Sequence, residues 1–180
     1  MKNALIRNGF LLFSIFISIN CVANDFDRFK NDDKYEIYYF DVDRDGVKDA
    51  VINDQSNDEI LVFLNVDGEY KYKYKSENYS FQGMYMVREI KEEKGDDVNF
   101  SIISMFSGAG GQEKKYFLSI KENELELVQT VTFDSSHNDG LYSLHVCVIN
   151  KTEKEKCHVM RSDKYFDSKF IEKYPYKKLP

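Results

Sequence analysis

One nine-residue stretch, residues 41–49 with the sequence DVDRDGVKD, constrains this chain more than any other. Aspartates occupy its first, third, fifth and ninth places, and Gly46 occupies the sixth, where a tight turn needs a residue without a Cβ. Carboxylates this close together repel one another unless a cation offsets their charge. The spacing therefore predicts a calcium loop. Its ligands would be the side chains of Asp41, Asp43 and Asp45, the backbone carbonyl of Val47, and Asp49 directly or through water.

The predicted loop differs from a calcium-sensing EF-hand at its twelfth place. Ile52 stands there, whereas an EF-hand requires a bidentate glutamate. The pattern thus favours a structural ion over a regulatory switch. The alternative is a turn rich in aspartate that binds no ion, because Asp and Gly favour turns in any case.

Strand-like segments lie on both sides of the loop. Residues 36–40 precede it, residues 50–52 open the next strand, and residues 59–65 form a nearly continuous apolar run. An Asp-Gly turn at residues 67–68 then leads into residues 69–75, in which Tyr and Lys alternate. The alternation predicts three tyrosines on the core face of this strand. The lysines would lie on its solvent face, where they would protect an exposed edge from pairing.

The order of these elements, from residue 36 to residue 75, resembles one blade of the FG-GAP or VCBS type found in calcium-binding β-propellers. The resemblance covers about 40 of the 180 residues. One blade cannot close a ring, because a propeller needs about four to eight. We therefore expect a single blade-like unit extended by further strands.

Six further strands can be predicted along the rest of the chain, at residues 84–90, 98–106, 114–120, 125–133, 141–149 and 156–161. The glycine-rich stretch 107–111 leads into a strand and not into a helix, which favours a hairpin loop over a phosphate-binding loop. Apolar residues recur at helical spacing over residues 165–174, before Pro175. The predicted fold is mostly β, with antiparallel sheets, one blade-like calcium-loop unit and a short C-terminal helix.

Two cysteines, Cys147 and Cys157, fall on the last two predicted strands. With His145 and His158 they could form a zinc site. However, adjacent residues of one strand point to opposite faces, so Cys157 and His158 cannot both turn toward Cys147. We therefore predict a disulfide between Cys147 and Cys157, across a hairpin with a polar loop at residues 150–154.

The N-terminus predicts secretion. Residues 1–23 combine the basic Lys2 and Arg7, a short apolar run and a small residue at the end, as in a cleaved signal peptide. Acylation of Cys21 as a lipoprotein is the alternative. We divide the remainder into a flexible leader at residues 24–34 and a single β-rich domain at residues 35–180, with no integral membrane segment after cleavage.

Charge and compartment limit the class of partner. Loss of Lys2 and Arg7 changes the net charge from −6 to −8, which disfavours nucleic acid and anionic membranes. No catalytic constellation emerges, so we expect no enzyme. Size, signal, disulfide and calcium loop resemble small periplasmic immunity proteins, which implies a protein partner such as a basic peptidoglycan hydrolase effector. The layout is also similar to carbapenem self-resistance proteins, which implies protection against a β-lactam by binding without hydrolysis.

Overall fold

The computed structural model describes residues 25–106, 111–134, 142–149, 156–162 and 169–177, and it contains two antiparallel sheets. The small sheet has four strands in the order β1-β2-β3-β4. These strands are β1 (Tyr35–Phe40), β2 (Asp49–Asp54), β3 (Glu59–Val66) and β4 (Glu69–Glu77). The large sheet has six strands in the order β10-β9-β8-β7-β6-β5. Its strands are β5 (Tyr85–Gly95), β6 (Val98–Phe106), β7 (Glu113–Lys121), β8 (Glu124–Asp134), β9 (Tyr142–Val148) and β10 (Lys156–Ser162).

The mostly β, antiparallel fold class predicted from the sequence is confirmed. Both sheets are meanders, in which every strand pairs with its neighbour along the chain. Within the described residues, a short 3-10 helix (Asp27–Phe29) precedes the small sheet, and a single α-helix, α1 (Lys169–Lys173), follows the large one. The predicted C-terminal helix is therefore present over 169–173, while residues 163–168 lie outside the described part. No helix among the described residues is long and apolar enough to cross a membrane.

Three apolar clusters hold the layers together, and the central one lies between the sheets. It joins Val51 and Val62 of the small sheet to Phe100 and Ile102 of the large sheet, which are all 0% exposed, and to other inward side chains of both sheets. Alternation along each strand sends the intervening residues to the outer faces, where two further clusters form. Each outer face is covered by a segment from one end of the chain.

The segment predicted as a leader packs on the outer face of the small sheet. Phe26 is 0% exposed and Phe29 is 2% exposed, and both rings contact Phe63 of β3. At the other end of the chain, Ile171 of α1 and Tyr174 lie against the outer face of the large sheet. Burial of these side chains contributes roughly 2 kcal/mol each.

The predicted single face of tyrosines on β4 is wrong. A β-bulge opposite Val62 and Phe63 places one extra residue in β4, because Val62 pairs with Tyr74 while Phe63 pairs with Tyr72. Tyr74 consequently faces the central core, whereas Tyr70 packs on the outer cluster and Tyr72 contacts Phe63. A bulge shifts the alternation by one residue, and a strictly alternating sequence gives no sign of it.

The two sheets are offset, and this offset positions the site described below. Between the sheets, β1 contacts β5 at one side and β4 contacts β8 at the other. Since the large sheet continues beyond β8, β9 and β10 extend past the edge strand β4. The inward face of this extension is not covered by a strand of the small sheet.

Candidate functional site

The acidic loop between β1 and β2 is held in a tight turn by hydrogen bonds from its backbone N–H groups to its own carboxylates. Asp41 accepts hydrogen bonds from the backbone N–H groups of Asp45 (3.1 Å) and Gly46 (2.9 Å). Gly46 has a φ of 90°, and Arg44 has a φ of 68°, so the backbone is left-handed at two places. The glycine at the sixth place thus has the conformational role that the sequence predicts.

Three of the predicted ligands come together. One carboxylate oxygen each from Asp41, Asp43 and Asp49 lies within 4.8 Å of the other two. Asp45 is outside this group, and its carboxylate accepts a hydrogen bond from the N–H of Val47 at 2.7 Å. Val47 itself is an exposed residue, 43% accessible. The pKa of Asp43 is raised, mainly by desolvation and then by repulsion from Asp45 and Asp41.

Asp49 has a second role that the spacing alone does not reveal. It is only 1% exposed, and its two oxygens accept hydrogen bonds from the backbone N–H of Val42 (2.8 Å) and of Asn65 (2.9 Å). One carboxylate therefore joins the start of the loop to the end of β3. Burial raises the pKa of this carboxyl, because the ionised form is costly away from water.

The loop also contacts the large sheet, so it links the two layers. The Arg44 guanidinium donates to the backbone carbonyls of Gly95 and Val98, at the β5–β6 turn. The side chain of Asn99 donates to the carbonyl of Val42 at 2.8 Å and accepts from the N–H of Ile120 at 2.7 Å. An ion bound in this loop would therefore fix the position of one sheet relative to the other.

The predicted cysteine pair lies on β9 and β10. Cys147 and Cys157 are directly opposite one another in the strand register, with their Cα atoms 4.1 Å apart and their sulfurs at disulfide distance. His158 pairs with Val146, so it lies on the face opposite Cys157, as the parity argument predicts. His145 contacts Ser143, with Nε2 and Oγ 3.1 Å apart.

The offset between the sheets forms a cleft that the sequence did not predict. We call it the inter-sheet cleft: its floor is the inward face of β7, β8 and β9, and its wall is the end of β4 with the chain that follows. It encloses about 520 Å³, and the disulfide forms part of its lining. The lining also includes Tyr79, Tyr116, Thr130, Thr132, His145, Lys114, Asp134 and Leu127. No sequence motif predicts this cleft, because the residues that line it come together only through strand register.

Tyr116 is the most unusual group of this cleft. It is 3% exposed, and within the described part of the chain its hydroxyl has no hydrogen-bond partner. The ring of Tyr79 stacks on it, with centroids 4.2 Å apart and planes at 13°. Burial raises the pKa of Tyr116.

The chain crosses from the small sheet to the large one over residues 78–84, which we call the crossing segment. Three of its non-glycine residues adopt a left-handed backbone, with φ values of 60° at Tyr79, 50° at Phe81 and 59° at Gln82. Buried Asn78 anchors its start by donating to the side chain of Asn53 at 3.0 Å and accepting from the N–H of Ser80 at 2.9 Å. Such strain persists only where the surroundings hold the backbone in place.

Some sequence predictions fall on residues that the structure does not describe. The signal peptide at residues 1–23 and most of the glycine-rich loop, residues 107–110, are among them.

Comparisons with known proteins identify no relative of this chain: no protein-family model, no curated protein and no solved structure matches it. A function must therefore be argued from the chemistry of the chain itself.

Proposed function

We propose that this chain is a non-enzymatic periplasmic binding protein, stabilised by calcium, that blocks a basic partner protein of the peptidoglycan hydrolase class. The observation that carries the proposal is a group of exposed apolar side chains within six residues. Phe81 and Met84 of the crossing segment are 48% and 57% exposed, and Met86 at the start of β5 is 57% exposed. Large aromatic and methionine side chains are enriched where proteins bind one another.

The position of these side chains supports a binding role. β5 is an edge strand of the large sheet, so its outer backbone groups have no strand partner within that sheet. Each left-handed residue before β5 destabilises the folded backbone by about 1 kcal/mol or more. Backbone strain of this kind is concentrated at sites that contact ligands. A segment whose backbone is held in place by its surroundings loses less entropy when a partner binds it than a free segment does.

The net negative charge of the chain favours a positively charged partner. The chain carries 31 acidic and 25 basic residues, and its sequence pI is about 5.2. Opposite charge accelerates encounter and suppresses acidic partners. A basic hydrolase that is active on the cell wall fits this net charge better than an acidic protein does.

Calcium would act as a structural ion in this proposal. Asp41, Asp43 and Asp49 offer hard oxygen ligands of the type that calcium prefers. The ion would offset the repulsion among these carboxylates, and it would hold the loop that joins the two sheets. The binding surface would then keep its shape because the sheets that carry it cannot shift.

The test measures inhibition by the mature protein of purified hydrolases, with a lysozyme and a peptidoglycan amidase as probes. We expect tight inhibition of one class, with a steep loss of association rate as salt rises. The double variant F81S/M84S should relieve inhibition at least tenfold. The matched control, V66S, changes an apolar side chain of similar exposure (42%) in the β3–β4 hairpin and should leave inhibition unchanged.

Two outcomes would contradict the proposal. If the protein inhibits neither class of hydrolase, the proposed partner is wrong. If F81S/M84S and V66S affect inhibition equally, the proposed binding surface is wrong. Protection of cells against a carbapenem, in the absence of any hydrolase inhibition, would instead support the self-resistance alternative.

A further inference from the structure

A pocket smaller than the inter-sheet cleft lies beside the exposed side chains of the proposed binding surface. We call it the edge pocket: its walls are the start of β1, the turn between β2 and β3, the crossing segment and the start of the edge strand β5. It encloses about 260 Å³. Met86, which is 57% exposed, belongs to both the pocket wall and the proposed binding surface. A partner that covers that surface therefore also meets the edge pocket.

The charges that line the edge pocket all have one sign. Glu36 of β1 and Asp58 of the β2–β3 turn contribute carboxylates, and no lysine, arginine or histidine is among the described residues of its lining. Neither carboxylate forms an ion pair within the described part of the chain. The inter-sheet cleft differs, because Lys114 contributes a cation to its lining. The edge pocket therefore favours a positively charged occupant.

A chain of hydrogen bonds through buried side chains holds the two carboxylates in place. The amide of Asn53 donates to Oε2 of Glu36 at 3.1 Å, and the amide of Asn78 donates to Asn53 at 3.0 Å. Asn78 also accepts from the N–H of Ser80 at 2.9 Å, and the Ser80 hydroxyl donates to Oδ1 of Asp58. Both asparagines are 0% exposed, and the serine is 7% exposed. The carboxylates are thus positioned before any ligand arrives.

Each carboxylate keeps one oxygen for a ligand. Glu36 accepts from Asn53 and from the Tyr38 hydroxyl (3.1 Å), and both bonds end on Oε2. Asp58 accepts from Ser80 on Oδ1. Among the described residues, no donor reaches Oε1 of Glu36 or Oδ2 of Asp58. Both residues are half-buried, and water and salt screen a partly buried carboxylate less than an exposed one, so a cation beside it is attracted more strongly.

The rest of the wall suits the stem of a long side chain. Tyr85, Met86 and Val87 give the pocket an apolar side opposite its polar one. Lysine and arginine bury their methylene groups along apolar surface while the charged end meets polar groups. A bare calcium ion fits less well, because it takes about six to eight oxygen ligands and one side of this pocket offers few.

We propose that the edge pocket binds a cationic side chain of the basic partner protein, an arginine or a lysine, with Glu36 and Asp58 as its counter-charges. This inference rests on the proposed function and deepens it, because it names the contact that recognises the positive charge of the partner. The neighbouring apolar side chains exclude water from the same contact.

The first experiment needs no partner protein. The full mature protein, saturated with calcium, is titrated to high millimolar concentrations with the amides of N-acetyl-arginine, N-acetyl-lysine and N-acetyl-citrulline, and backbone amide shifts are recorded. Citrulline has the shape of arginine without its charge. We expect a cationic probe to shift the amides of Asp58, Ser80 and the start of β5, and citrulline to bind at least about tenfold more weakly. The tighter cationic probe tells arginine from lysine.

Two conservative variants locate the site. Glu36→Gln and Asp58→Asn each keep an oxygen that can accept the existing hydrogen bonds, and asparagine tolerates the left-handed backbone at Asp58 (φ 55°). Each should weaken binding of the cationic probe about tenfold. Asp67→Asn is the matched control, because it makes the same charge change at a left-handed position (φ 56°) in the β3–β4 hairpin, and it should leave the affinity unchanged.

The same variants are then compared in the hydrolase assay. Glu36→Gln and Asp58→Asn should each relieve inhibition at least about fivefold, and this relief should persist at high salt because the contact is partly buried. Asp67→Asn should alter only the association rate, and only at low salt.

Three results would overturn the inference: no shifts with either cationic probe, equal affinity for the arginine and citrulline probes, or shifts that Glu36→Gln and Asp58→Asn leave unchanged. The two proposals fail separately. If a hydrolase is inhibited and the pocket variants do not relieve inhibition, the edge pocket inference is wrong and the proposed function stands. If the probes bind as expected and no hydrolase is inhibited, the proposed partner class is wrong and the edge pocket remains a site for a cationic side chain.

Discussion

Asp49 should stabilise the fold even when calcium is absent. A measurement without calcium therefore separates its role as a hydrogen-bond acceptor from its proposed role as a calcium ligand. In Asp49→Ala, the backbone N–H groups of Val42 and Asn65 lose the carboxylate that accepts from them at 2.8 and 2.9 Å. A buried amide left unpaired costs about 1–3 kcal/mol, so two cost about 2–6 kcal/mol. The variant also removes a buried charge whose pKa burial raises, which offsets part of the loss. We expect a net loss of about 3 kcal/mol in the free energy of unfolding.

Asp43 provides the contrast, because it is exposed and accepts a long hydrogen bond from the N–H of Asp45, at 3.3 Å. In chelator, Asp43→Ala should change the free energy of unfolding by less than about 0.5 kcal/mol. With calcium at about a hundred times its dissociation constant, the wild type should gain about 2.7 kcal/mol, and Asp43→Ala should gain nothing. Asp49→Asn keeps one acceptor and should lose about half as much as Asp49→Ala.

The assay is urea unfolding followed by tyrosine fluorescence, in calcium and in chelator. The chain has 13 tyrosines and no tryptophan, so their emission reports on the core without interference. A loss of about 3 kcal/mol lowers the midpoint of thermal unfolding by roughly 6–12 °C in a domain of this size. If Asp49→Ala and Asp43→Ala are equally stable in chelator, the proposed role of Asp49 between the loop and β3 is wrong. If the wild-type unfolding midpoint is the same in chelator as in calcium, the calcium proposal is wrong.

Three further perturbations test other parts of the structure. Tyr116→Phe should raise the free energy of unfolding by about 1 kcal/mol in chemical denaturation, because it deletes a buried hydroxyl that has no hydrogen-bond partner among the described residues; a loss of stability would mean that the hydroxyl has a partner. Reduction of the bond between Cys147 and Cys157 should cost about 2–3 kcal/mol for a closed loop of this length, and an unreduced mass spectrum should lack two hydrogens. Lys115→Met should cost about 3 kcal/mol, because it leaves Glu93, whose side chain is 14% exposed, without the ammonium 2.6 Å away; the double variant with Glu93→Gln should recover part of the loss, and no recovery would argue against the pair. The same variant should make the C-terminus sensitive to protease, because the Lys115 ammonium also donates to the carbonyl of Tyr174 at 2.9 Å.

The sequence predicts the elements of this fold well where local chemistry decides them. Alternation and apolar runs give the strands, and the Asp-Gly pair gives the β3–β4 turn. Gly46 marks the left-handed turn of the acidic loop, since a residue without a Cβ adopts that conformation freely. The spacing of Cys147 and Cys157 gives their strand register, because a hairpin pairs residues symmetrically about its turn. Each of these inferences depends on residues that are close along the chain.

Tertiary structure decides what depends on distant residues meeting. The bulge in β4 sends Tyr70 and Tyr74 to opposite faces, although their spacing predicts one face. Asp49 accepts a hydrogen bond from Asn65, and the Tyr116 ring lies under that of Tyr79, only because sheet register and sheet offset bring them together. The sequence alone thus determines a β-rich chain with an acidic loop. The packing of six strands against four determines that β9 extends beyond the small sheet and leaves a cleft, since offset depends on contacts between layers and not on any local pattern.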